Sequence, residues 1–156
     1  MLYHLRVKNL ALIDSAEVEF GDGLNILTGE TGAGKSIIIG SVQIALGGKA
    51  PKEMIRRGCD SAYIELVFSI DDERKREQLK EQDVYPDAEG ILIISKKITP
   101  TRSISRINDE TVTAARLREI TAVLLEIPSN NPCSVFGQTD ARKVRSCMDS
   151  MNTSRW

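Results

Sequence analysis

The chain has 156 residues, 41% of them hydrophobic, with 21 Lys plus Arg against 22 Asp plus Glu. That suits one compact domain with a real core rather than two large ones, and the balanced charge makes no whole-chain argument for or against nucleic acid. No apolar run approaches the roughly 18 to 20 residues of a membrane span, and Arg6 and Lys8 bring charge too early for a secretory signal, so a cytoplasmic address is the default expectation. Cys59, Cys133 and Cys147 are odd in number and lack C-x-x-C spacing, so they read as free thiols and indicate neither a disulfide framework nor a zinc site.

Leu5, Val7, Leu10 and Leu12, then Ala16, Val18 and Phe20 alternating with Glu17 and Glu19, predict two strands with period-two patterning. Gly21-Asp22-Gly23 is a turn signal, and the short apolar run Leu24-Asn25-Ile26-Leu27-Thr28 after it predicts a central strand buried on both faces. From Lys35 to Leu46, Ile37, Ile38, Ile39, Val42, Ile44, Ala45 and Leu46 surround most of a helix. Such a helix is expected to be largely buried, and Gly47-Gly48 would end it with a left-handed cap. After a loop bearing Lys and Arg, Ala62, Ile64, Leu66 and Phe68 alternate with polar residues in the clearest strand of the chain. Asp71 is read as the cap of a polar outer helix reaching about Gln82. Ile91 to Ile98 and Ser103 to Ile107 predict two more strands, Asn108-Asp109 a turn, and Thr113 the cap of a helix through about Leu125. From Pro128 to Trp156 there are five serines, two of the three cysteines and the only tryptophan, without apolar periodicity. This stretch is expected to be a disordered tail, or sequence foreign to the domain before it.

Gly29-Glu30-Thr31-Gly32-Ala33-Gly34-Lys35-Ser36 matches G-x-x-x-x-G-K-[ST], between an expected strand and an expected helix. Phosphate oxygens concentrate negative charge; a glycine-rich turn lets backbone N–H groups approach them closely, and the helix N-terminus adds the positive end of its dipole. Lys35 would set an ammonium against the β and γ phosphates, and the Ser36 hydroxyl would coordinate Mg²⁺, a hard ion that prefers oxygen. The expected ligand is a nucleoside triphosphate, ATP with Mg²⁺. Arg56-Arg57 and Lys96-Lys97 with Arg102 and Arg106 are weaker candidates for DNA phosphates, since basic pairs on a polar face are usually just solvated. His4 has no acidic or nucleophilic partner in sequence and reads as a strand residue. Asp14, Asp22 and Asp71-Asp72 have turn and capping roles.

These residues resemble the RecN family, bacterial DNA repair proteins related to SMC proteins. The resemblance rests on Leu5 to Asp14, on Gly23 through the loop to Ile37, on Leu46-Gly47-Gly48-Lys49-Ala50, on Ile55-Arg56-Arg57-Gly58, and on Arg102-Ser103 with Arg106-Ile107-Asn108. Glu30-Thr31 inside the loop looks like RecN, where SMC relatives tend to show Pro-Asn. The resemblance covers residues 1 to about 127. It implies an α/β P-loop NTPase fold, the N-terminal lobe of an ABC/SMC-type ATPase head, truncated. It also implies ATP bound between two heads that dimerise, a nucleoid-associated cytoplasmic address, and recombination and repair at DNA double-strand breaks. Where family members continue with a His-Gly-Gln segment, this chain has Pro128-Ser129-Asn130-Asn131, and Gln138 stands at the wrong distance to replace that glutamine. A frameshift near residue 127 is therefore expected, and no catalytic residue is assigned. With no Walker B acidic pair or signature motif to match, the chain by itself is expected to bind ATP weakly without turning it over. Two other readings stand beside this one, an ATP-gated clamp or scaffold on DNA and the head of a different ABC-type ATPase, RecF-like or transporter-like.

Overall fold

The computed structural model describes residues 1–22, 25, 26 and 33–125. Six strands, β1 (Leu2–Leu10), β2 (Ile13–Glu19), β3 (Ala62–Ser69), β4 (Ile91–Ile98), β5 (Ser103–Ile107) and β6 (Glu110–Val112), form one sheet in the order β2-β1-β3-β4-β5-β6. Every neighbouring pair is antiparallel. Three helices among the described residues accompany it: α1 (Ala33–Ala45), α2 (Glu73–Glu81) and α3 (Ala114–Leu125). The period-two alternation sends Leu5, Val7, Ala62, Ile64, Leu66, Phe68, Leu92, Ile94, Ile98 and Ile107 to one face. That face is the core, with α1 against β1, β3 and β4 and α3 against β5.

The opposite face carries a polar row across the strands, Glu17, Arg6, Glu65, Ser95 and Arg106, each opposite the next. Arg6 Nε lies 2.8 Å from Glu17 Oε1, and the Tyr63 hydroxyl donates to Glu65 Oε2 at 2.7 Å. Burial and that hydrogen bond to a carboxylate push the Tyr63 hydroxyl above its ordinary pKa. His4 lies on β1 as expected, with Nε2 4.0 Å from Glu17 Oε2.

Most expected elements are found, with informative departures. The cap of α2 is Asp72, whose carboxylate accepts from the Arg74 amide; Asp71 instead accepts from the Ser69 hydroxyl. The helix is not merely polar, because Leu79 is fully buried and anchors it beside α3. The loop after Pro51 contains a single 3-10 turn, Lys52–Met54, and β6 was not anticipated, being only three residues long. Asn108 and Asp109 both have positive φ, 45° and 67°, as the two-residue hairpin turn between β5 and β6 demands. Helix α1 is buried along one side only, leaving Ile39 37% exposed.

Of the expected central strand Leu24 to Thr28, only Asn25 and Ile26 are described. Neither belongs to a strand, and Ile26 is 72% exposed. Among the described residues the sheet ends at β2 and β6, and Asn25 clips the preceding turn by exchanging two hydrogen bonds with the Gly21 backbone. The expectations for residues 128–156, including Gln138, lie outside the described residues.

Candidate functional site

Gly29, Glu30, Thr31 and Gly32 lie outside the described residues; Ala33 opens α1, so Gly34, Lys35 and Ser36 fall in its first turn. Gly34 and Ser36 are exposed and Lys35 is half-buried. No acidic residue occupies that turn, so its one charged side chain is the cation of Lys35, at the positive end of a 13-residue helix. Stability alone would put a carboxylate there, worth roughly 0.3 to 1 kcal/mol. A cation is suited instead to sharing an anion with the backbone N–H groups. A Cβ on Gly34 would meet nothing within 4 Å among the described residues, so packing does not require glycine at this position. Glycine inside a helix costs roughly 0.5 to 1 kcal/mol relative to alanine, which close approach of a phosphate would justify. Gly40, further along α1, has equally open surroundings, so openness alone does not mark the site. The first turn thus sets an exposed hydroxyl, that of Ser36, beside the one cation of the turn. Among the described residues no group of three His, Cys, Asp or Glu could hold a metal by itself.

The other end of α1 is built differently. The Gly48 amide donates to Gln43 O at 3.0 Å and the Gly47 amide to Ile44 O at 3.3 Å, with Gly47 at φ 101°, the paired bonds of a glycine-ended helix. Its last turn has no basic residue of its own. Two cations reach it from elsewhere: Lys96 of β4 donates to Ile44 O and Gly48 O at 3.0 and 2.9 Å, and Arg118 of α3 donates to Gly47 O at 3.3 and 3.2 Å.

The basic candidates of the sequence therefore separate. Lys96 is only 3% exposed, on the inner face between Ile64 and Ser105, and is no part of a solvated patch. The signal was present in the sequence: Leu92, Ile94, Lys96 and Ile98 share one parity, so Lys96 had to face inward when Lys97 faced out. Lys97, Arg102 and Arg106 are exposed. Arg56 holds the β1–β2 turn, its Nη1 donating to Leu12 O at 3.0 Å and its Nε 3.9 Å from Asp14 Oδ1. Arg57 lines the open cleft beside that turn with Leu12, Glu53 and Ile55.

The fold and the helix-borne Gly-Lys-Ser define the class: the chain belongs to the AAA domain family, whose profile matches residues 4–131. Its fold is that of SMC heads. It superposes on a chain from a study of ATP-driven dimerization and DNA-stimulated activation of SMC ATPases with a TM-score of 0.68 at 18% identity, over 96% of this chain and 98% of that one. The SMC head bound to the C-winged helix domain of ScpA gives 0.67 at 18% identity, over 84% of this chain and 42% of that one. The recombination mediator RecF gives 0.58 at 14%, over 75% and 29%.

Among curated proteins the similarity is to DNA repair protein RecN, bearing out the resemblance drawn from the sequence. The protein of Synechocystis is 43% identical over 131 residues, 81% of this chain and 22% of that protein; that of Bacillus subtilis is 37% identical over 128 residues, 81% and 22%. The protein of Rickettsia conorii aligns over 151 residues at 36% identity, 96% of this chain and 27% of that one. The chain thus spans about a quarter of the length of these relatives. No helix among the described residues is long and apolar enough to cross a membrane.

Proposed function

We propose that the chain supplies the phosphate-binding half of an ATP site in a RecN-like DNA repair protein. The observation that carries this reading is the first turn of α1, where an acid-free helix N-terminus presents Gly34, Lys35 and Ser36 directly after the glycine-rich sequence. Backbone amides of Gly29, Glu30, Thr31, Gly32, Ala33 and Gly34 would cradle the phosphate oxygens. Lys35 sets its ammonium against the β and γ phosphates, and Ser36 gives its hydroxyl to Mg²⁺. Bound ATP and its metal supply the reactive phosphoanhydride and a divalent charge. The chain's own residues bind and orient, and none of them is given a catalytic role. Residues 1–127 form the head lobe in this reading. Dimerisation of two such heads, action on DNA at double-strand breaks and a cytoplasmic, nucleoid-associated address follow from the likeness to RecN.

Calorimetric titration of the chain with Mg-ATP tests the reading. Saturable one-site binding that is weakened by Lys35→Ala supports it; identical affinity in the two proteins removes Lys35 from the site.

A further inference from the structure

Lys96 is an expensive residue to place where it is. Its neighbours across the sheet are Ile64 and Ser105, and its ammonium sits at the end of α1 near the Arg118 guanidinium. The cleft there, about 530 Å³ and open to solvent, is lined by Gly47 to Pro51, Lys96, Ser103, Ala114 and Arg118. Among the described residues it holds three cations, Lys49, Lys96 and Arg118, and no carboxylate. Burial, and then repulsion from Arg118, hold the Lys96 amine below its ordinary pKa. A buried cation with no anionic partner among the described residues is a poor way to gain stability, and well-packed apolar residues commonly serve a core better.

What Lys96 does achieve is geometric. It ties two carbonyls, one inside the last turn of α1 and one just beyond it, to β4 in the middle of the sheet, while Arg118 ties the carbonyl between them to α3. The same helix carries Lys35 and Ser36 in its first turn. We infer that Lys96, assisted by Arg118, is a positioning residue for the phosphate loop, a clamp on the far end of α1 that sets where its first turn stands. An α-helix transmits such a constraint along its length, since a rigid-body shift at one end moves the other. The inference rests on the nucleotide reading for its consequence but not for the clamp itself.

The test is Lys96→Met in the full chain, which keeps the length of the side chain and removes its charge and its donors. Two readouts are taken. The first is the backbone amide chemical shifts of Lys35 and Ser36, roughly 12 Å along the helix from Ile44 at 1.5 Å per residue; the second is the affinity for Mg-ATP. The expected result is a displacement of both amide signals and an affinity loss of about five- to tenfold, at an unfolding temperature equal to or above that of the wild type. Arg118→Gln should act in the same direction and more weakly, and it serves if Lys96→Met does not fold. Unmoved amides with unchanged affinity in a folded variant overturn the inference, as does an affinity loss that only follows a lowered unfolding temperature. If Lys96→Met displaces the amides while the wild type itself does not bind Mg-ATP, the clamp stands and the nucleotide reading alone is overturned.

Discussion

The two ends of α1 are opposites. At its C-terminus the final carbonyls are met by the Gly47 and Gly48 amides, by Lys96 and by Arg118, drawn from two other elements of the fold. At its N-terminus the first turn offers amides and a cation with no acidic residue among them. One end is closed by the protein's own donors, and the other is suited to an anion from outside. The difference teaches that a helix can be fixed in a sheet by donors brought to its negative end from other elements, with no carboxylate of its own at its positive end.

Four changes break or sharpen this contrast. The largest effect is expected at the ligand end: Lys35→Ala should weaken Mg-ATP binding at least about tenfold, since a charge-assisted contact contributes roughly 1.5 to 3 kcal/mol. Calorimetric scanning of the same variant without nucleotide is the control, and a large loss of stability would show the end to be structural. Next is the closed end. Gly47→Ala forces a side chain into left-handed backbone and sets a Cβ 2.9 Å from Arg118 Cγ, so a destabilisation of about 1 to 2 kcal/mol in urea unfolding is expected. An unshifted midpoint would mean that the cap relaxes freely.

Ser36→Ala should produce a smaller and more selective change, reducing the gain in ATP affinity that Mg²⁺ gives while leaving metal-free binding intact. Equal losses with and without the metal would move the ion elsewhere. The subtlest effect is on pH dependence. The folded-state pKa of Lys96 lies below the ordinary 10.5, so between the two values the unfolded chain holds the extra proton and stability rises with pH, fully gained above 10.5. Denaturant unfolding from neutral to alkaline pH should show this rise in the wild type and lack it in Lys96→Met. Parallel curves would mean that the amine is better compensated than its surroundings indicate.

The sequence by itself determined a large part of this protein. Alternation set β3, β4 and β5 to the residue, since a half-buried strand must repeat every two positions. The loop motif located the helix that follows it, and Gly47-Gly48 its end, because only a residue tolerant of positive φ closes a helix in this way. The likeness to RecN was also legible, as it rests on the order of residues along the chain.

Tertiary structure alone decided which elements those residues meet. Asp72 rather than Asp71 caps α2 because Ser69 takes the first carboxylate, a choice that depends on where β3 ends. Leu79 looks like a lone apolar residue on a polar helix until α3 lies beside it. Lys96-Lys97 reads as one basic pair, yet a strand turns adjacent residues to opposite faces, and the inner one finds carbonyls of residues 44 and 48, far away in sequence. Helix α1 carries no basic residue in its last turn, so no local pattern could announce that β4 and α3 add donors to its glycine cap. Periodicity and turn chemistry act over a few residues and are written in the chain, whereas partners brought together by sheet order are written only in the fold.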